Sequence, residues 1–421
     1  MTRYLPTILL ALTCLGCSGA VEKADGAEAS SPLDWPNWRG PNHDGISVER
    51  GWLDEWDKDE PVVAWRKNVG IGFSSVSVSG GRLYTMGHEK GKDKIGTDAV
   101  WCLDAKTGKE IWKHTYECNI VDNLHEGGPA TTPTVDDGRV FTISKEGDLF
   151  ALDAETGKVL WNHKLSKLLG VRMPKWGFSC SPLVLGNMLI VEASRTIALD
   201  KKTGRMIWKT DKFKPGYGSP ASFQRDGRTL IAVLNNEFVM VVDAKDGEIV
   251  AKFPWTTSFD TSSTTPIIHG DTIYISTAYN KGCALFDFDG KKLTPRYANK
   301  DMRNHMANSV LYEGHLYGFD GKSHNARLVK LVCMEYDTGK VKWAERGLGC
   351  GSLKLADGKL IVLSDRGELL IAPATPKEFA PIGREKFLDG KCWTVPVLSG
   401  GLIYCRNANG DLVAVDVRKE D

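Results

Sequence analysis

Two hydrophobic patterns alternate along the chain. The first is an apolar run, a polar turn and a second run with a tryptophan. Its clearest copy is Leu149-Phe150-Ala151-Leu152, then Asp153-Ala154-Glu155-Thr156-Gly157, then Lys158-Val159-Leu160-Trp161. The apolar run predicts a buried strand. Asp opens a tight turn by bonding backbone two residues on, and Gly closes it with positive φ. The following strand then runs antiparallel, and its Trp is large and rigid enough to bury between neighbouring units. The second pattern lies upstream and is strand, short turn, strand. Examples are Thr132-Pro133-Thr134-Val135 before Asp137-Gly138 and Val140-Phe141-Thr142-Ile143, and Val395-Pro396-Val397-Leu398 before Gly400-Gly401 and Leu402-Ile403-Tyr404. Together the two patterns supply four antiparallel strands, which is one propeller blade.

The first pattern recurs. Strong copies lead from Leu103-Asp104 to Trp112, from Leu152-Asp153 to Trp161 and from Leu199-Asp200 to Trp208. Weaker ones lie at Asp243 to Gly247, Asp287 to Gly290 and Tyr336 to Trp343, with a degraded copy at Leu370 to Pro376 and a last one opening at Leu412. In two central copies Ala251 and Thr294 stand where the Trp is expected. Eight copies at a spacing of roughly 36 to 50 residues fit propeller blades. The fold expected is all-β, an eight-bladed β-propeller of four-stranded antiparallel blades.

Ring closure is also legible. The chain ends at Asp421, too soon for an outermost strand in the last unit. Val62 to Val69 precedes the first complete unit as a strand without a blade, with Trp65 at the docking position. This N-terminal strand is expected to complete the last blade, removing the exposed sheet edges. Trp65, Trp112, Trp161, Trp208 and Trp343 are the expected structural docking residues.

The N-terminus reads as an export signal, with Arg3 ahead of the short apolar run Ile8 to Leu15. Two cleavage points fit. Ser18-Gly19-Ala20 suits an ordinary signal peptidase. Leu15-Gly16-Cys17 resembles a bacterial lipobox, which would leave Cys17 lipidated, although Cys14 replaces the usual aliphatic residue. The expected division is signal peptide 1–20, tether and N-terminal extension 21–60, and propeller 61–421. The protein is expected in the periplasm or at the outer membrane, as a monomer, touching membrane only through an N-terminal lipid.

The sequence has 421 residues, 42% hydrophobic and 25% charged, with net charge +1. That balance gives no electrostatic case for nucleic acid. Of ten cysteines, only Cys14 and Cys17 show C-x-x-C spacing, inside the signal, so no metal site is expected. Buried free thiols are the simplest reading of the others.

The phrase Ala-x-Asp-x-x-Thr-Gly-x-x-x-Trp, best seen at Ala151 to Trp161 and Ala198 to Trp208, resembles the tryptophan-docking repeat of the pyrroloquinoline-quinone (PQQ)-like propeller family. The resemblance covers about Pro61 to Lys419. That family includes quinoprotein alcohol dehydrogenases and BamB-type outer-membrane-assembly lipoproteins. The leader Trp35-Pro36-Asn37-Trp38-Arg39-Gly40-Pro41 is similar to segments preceding PQQ-repeat proteins of planctomycete-type bacteria, some named polyvinyl-alcohol dehydrogenases. For a dehydrogenase the resemblance implies PQQ stacked on a Trp in the central funnel, Ca²⁺ held by Glu, Asn and Asp, and an Asp base. The sequence has no adjacent Cys pair, no separate calcium-loop motif and no C-x-x-C-H haem motif. A non-catalytic propeller is therefore favoured, with no cofactor firmly expected.

Funnel residues should come from the start of each innermost strand. On this register they are His125, Glu126, Arg172, Lys175, Trp176, Tyr217, Asp260, Arg303, Asn304, His305, Lys391 and Trp393. Trp176 and Trp393 could stack on a planar ligand, and Arg172, Lys175, Arg303 and Lys391 could meet an anion. Asp260 or Glu126 could act as a base. Ordinary rim residues, solvated or paired with each other, would look the same in sequence. Two functions are carried forward. One is a binding or scaffold propeller of the cell envelope, with envelope proteins or a small ligand as partners. The other is a PQQ- and calcium-dependent alcohol dehydrogenase.

Overall fold

The computed structural model describes residues 1, 31, 33–56, 60–92 and 95–419. The expected signal, the candidate lipidation residue Cys17 and nearly all of the expected tether lie outside the described residues. No helix among the described residues is long and apolar enough to cross a membrane.

Eight sheets follow one another, each with four antiparallel strands ordered from the axis outward, and the seventh carries a fifth, parallel strand at its inner edge. The third blade shows the pattern: Leu183–Leu185, Met188–Glu192, Thr196–Asp200 and Met206–Lys209. Innermost strands are short, and the two middle strands are almost wholly buried because both faces meet a neighbouring blade. Eight hydrophobic clusters lie between consecutive blades. One joins Phe141 and Leu149 to Leu189 and Ile197, and another closes the circle by joining Leu402 and Tyr404 to Leu83 and Trp101.

The closing strand is Val62–Asn68, which pairs antiparallel with Asp411–Asp416 in the eighth blade. Trp65 stands opposite Ala414, just as Trp161 stands opposite Ala151 and Trp208 opposite Ala198. Each docking indole donates its N–H to a turn carbonyl in the next blade: Trp65 to Ala105 at 3.0 Å, Trp112 to Ala154 at 3.0 Å, Trp161 to Lys201 at 3.1 Å and Trp208 to Ala244 at 2.9 Å. Trp343 does the same to Thr375 at 2.8 Å.

The turn glycine has a second reason to be glycine. At Gly157, φ is +69°, and a Cβ there would lie 2.6 Å from the Trp112 ring. The phrase therefore needs no side chain at that point so that the preceding blade's indole can lie flat against it.

One sequence expectation is corrected. Thr294 is not the docking position of the fifth blade; it pairs with Asp287 near the turn. The hairpin runs on through Phe288 and Leu293, so the docking register falls on Tyr297, opposite Leu285. Its hydroxyl donates to the Tyr336 carbonyl at 2.8 Å, the place an indole would use. In the fourth blade Ala251 does hold the docking register, opposite Val241.

The extension is more than a spacer. Trp35 forms a bridge to Val78 in the innermost strand of the first blade, and Pro36 O accepts from Val135 N in the second. Trp38 reaches Thr265 in front of the fifth blade, and Arg39 the Ser309 carbonyl in front of the sixth. Ile46–Ser47 then adds a parallel strand to Ser352–Ala356 of the seventh. The Glu49 carboxylate accepts from Gly400 N and Gly401 N in the eighth. Residues 35–49 thus cross the axis and fill the base of the channel.

Candidate functional site

Opposite the base, the loops leading into the innermost strands surround a cavity of about 750 Å³. That size suits a small molecule. Trp38 of the crossing segment contributes to its lining, together with loops of seven blades.

The aromatic groups form two arcs. On one side, Trp393 stacks on Phe73 with centroids 5.5 Å apart, Phe73 meets His125 edge-on at 5.4 Å, and His125 stacks on Trp176 at 6.2 Å. These residues precede blades eight, one, two and three. On the far side, Tyr279 contacts Phe259, His305 and His324 at 5.1, 5.0 and 6.0 Å. Those residues belong to blades five and six, which face blades one and two across an eight-membered ring.

Among the described residues the charged groups of the lining are all basic, Lys145, Lys175, Lys322 and Lys391, with no Asp or Glu. Lys145 is buried and donates to Trp176 O at 2.9 Å and Ser179 Oγ at 3.4 Å. Burial pulls its pKa down to about 8. Lys175 and Lys391 lie over the rings of Trp176 and Trp393, at 5.1 and 4.5 Å.

His125 and His305 are held alike on opposite sides. His125 Nδ1 accepts from Gly127 N, and His305 Nδ1 from Ser323 N, both at 3.0 Å. Burial, helped by nearby charges, lowers both pKa values to about 4. Each ring is therefore neutral at pH 7, and with Nδ1 accepting, the proton sits on Nε2.

Of the sequence candidates, His125, Lys175, Trp176, Tyr217, His305, Lys391 and Trp393 line the cavity. Glu126, Arg172, Asp260, Arg303 and Asn304 do not. Glu126, next to His125 in a bend of the chain, pairs at 2.8 Å with Lys391, which does line the cavity. Asp260 is exposed at φ +51° and pairs with Lys214 at 3.4 Å. Arg303 is clamped to Asp320 through Nε and Nη2, each at 2.7 Å. Asn304 is buried, bonding Phe319 O and Ser309 Oγ within its own blade. Arg172 is exposed outside the lining. Phe73, Lys145, Tyr279, Lys322 and His324 also line the cavity, and all but Phe73 lie in loops between the two middle strands of a blade, where the repeat pattern gives no register for funnel residues.

The funnel does not suit the calcium centre of a quinoprotein dehydrogenase. Such an ion needs oxygen ligands, mainly carboxylates. Among the described residues no carboxylate lines the cavity, and the two candidate bases are committed to lysines, Asp260 to the exposed Lys214 and Glu126 to Lys391 of the lining. One acidic cluster lies outside, where Cys118, Glu146 and Asp148 come within 4.8 Å of one another. Lys164 already bonds Asp148 at 2.9 Å there, and Glu146 at 3.5 Å. All eight cysteines after the leader are buried and unpaired.

A family model described as outer membrane protein assembly factor BamB matches residues 96–345. No curated protein matches the sequence. Among solved structures, BamB from Moraxella catarrhalis is similar at 15% identity and TM-score 0.59, over 86% of this chain and 99% of that one. A europium-containing methanol dehydrogenase is similar at 13% identity and TM-score 0.67, over 91% and 90%. The quinohemoprotein alcohol dehydrogenase ADHIIG from Pseudomonas putida HK5 is similar at 13% identity and TM-score 0.68, over 93% and 81%. At these identities the likeness establishes the fold, which is shared by an assembly factor and by dehydrogenases alike.

Proposed function

The chain belongs to the PQQ-like propeller family described by the assembly factor BamB, and from that premise we propose that it is an exported binding propeller of the cell envelope rather than a dehydrogenase. One observation carries the choice: among the described residues the funnel gathers four lysines and no carboxylate. Alcohol oxidation in this fold class calls for a metal held by carboxylates and for a carboxylate base beside the substrate. Here Asp260 is exposed and Glu126 is neutralised by Lys391. A basic funnel with aromatic walls binds well and is poorly equipped to remove a proton from an alcohol. Export is supported by the apolar leader behind Arg3, and the outward loops are the surfaces on which envelope partners would be held.

The test is reconstitution with PQQ and Ca²⁺, or a lanthanide, followed by dye-linked oxidation of short alcohols and polyvinyl alcohol. The expected result is no turnover above the PQQ-only control. Metal-dependent turnover that Asp260→Asn abolishes would establish the enzyme instead.

A further inference from the structure

We infer that the funnel is a metal-free receptor for a ring-shaped molecule bearing two or more oxyanion groups. This deepens the reading of the funnel as a binding site and rests on it.

The charge pattern comes first. Four lysines converge on one cavity, and no carboxylate among the described residues lines it. Lys391 pairs with Glu126, which approaches it from outside the lining. Nearby cations raise one another's energy, and a bound polyanion relieves that repulsion. Lys145 is the deepest of them. Its ammonium carries three N–H bonds, and the two acceptors it has, Trp176 O and Ser179 Oγ, leave one for a ligand.

The neutral donors come second. His125 and His305 stand on opposite sides of the ring, each with Nδ1 tied to a backbone N–H. Nε2–H of each is left without a partner among the described residues and belongs to a side chain of the lining. Two opposed N–H donors that stay neutral from pH 5 to 8 select for acceptors on both ends of one ligand. The walls come third. The arc from Trp393 to Trp176 and the arc around Tyr279 give flat faces for a ring. Finally, residues 35–49 seal the base, and Trp38 supplies part of the floor. An extended polymer could not thread through, so only one compact molecule or one chain end fits.

An aromatic polycarboxylate and an acidic sugar share this chemistry. Calorimetric titration separates them, using benzene-1,3,5-tricarboxylate as one probe and a chondroitin sulfate disaccharide as the other. Benzene-1,3,5-trimethanol and the unsulfated, esterified disaccharide are the neutral controls. At least one acidic probe is expected to bind, at least tenfold tighter than its neutral control, with affinity falling as salt rises. Lys145→Met should weaken it about tenfold, the scale of one charge-assisted hydrogen bond. Glu126→Gln, which frees Lys391, should strengthen it. A folding defect cannot imitate this opposition of signs, since both variants remove a buried or paired group. The inference is overturned if neither acidic probe binds, if neutral controls bind equally well, or if Glu126→Gln weakens binding as Lys145→Met does. Dehydrogenase turnover would overturn the preceding section without touching these titrations.

Discussion

The indole of Trp65 donates to the carbonyl of Ala105 at 3.0 Å, so the strand that completes the last blade is docked onto the first. The same contact links consecutive blades elsewhere, but here it also joins the two ends of the chain. Trp65→Ala removes a buried ring and leaves the closing strand held only by its ladder. The expected cost is about 3–5 kcal/mol. Thermal unfolding followed by circular dichroism should show a larger fall in midpoint than for Trp343→Ala, whose ring is only half-buried and closes nothing. Equal falls would mean that closure adds nothing to docking.

The turn glycines allow a controlled comparison. Gly157 and Gly227 have nearly the same φ, +69° and +74°. A Cβ on Gly157 would strike the Trp112 ring at 2.6 Å, whereas Gly227 has nothing within 4 Å. Both alanine variants carry the left-handed strain, of order 1 kcal/mol. Gly157→Ala should be the less stable by a further 1–3 kcal/mol or so, the cost of overpacking. Chemical denaturation of the two variants side by side measures that difference.

The ring was legible because its signals are local. Asp, Gly and Trp sit at fixed offsets within a dozen residues, and the strand at Trp65 announced itself by lacking a blade. Counting offsets failed at Thr294 because the fifth hairpin extends through Phe288 and Leu293, shifting the docking place to Tyr297. The funnel was partly legible. Trp176, Tyr217 and Trp393 precede innermost strands in a readable register, and they line the cavity. Asp260 and Arg303 share that register, yet their orientation depends on Lys214 and Asp320, which sequence distance hides. The path of Trp38 into the channel, four blades away from the bridge at Trp35, leaves no periodic trace at all.

Glu192 makes stability depend on pH. It is buried in the third blade, and burial raises its pKa from 4.5 to about 7, opposed in part by the Thr196 hydroxyl that donates to it at 2.8 Å. A raised carboxyl pKa means the folded state binds the proton more tightly. Its contribution is full below the unfolded pKa and is lost as pH rises through about 7, a change of roughly 3 kcal/mol. The wild type should therefore unfold more easily at pH 8 than at pH 5, and Glu192→Gln should remove most of the difference. A variant profile as steep as the wild type's would assign the effect to other groups.

Lys145 gives binding its own pH dependence. Its pKa near 8 means the ammonium is lost as pH rises from 7 to 9. Affinity for benzene-1,3,5-tricarboxylate should fall over that interval and stay level from pH 5 to 7, since His125 and His305 remain neutral there. Lys145→Arg keeps the charge above pH 9 and should flatten the fall.

The most direct test of a funnel that recognises anions through lysines rather than through a metal is calorimetric titration with PQQ itself, a ring carrying three carboxylates. The titration is run once with a chelator and once with saturating Ca²⁺ or Eu³⁺. Binding is predicted with the chelator present and no gain in affinity with the metal, because no carboxylate among the described lining residues holds the ion, and any weakening with metal reflects chelation of the free ligand. Binding that appears only with metal, or tightens tenfold with it, would contradict the account.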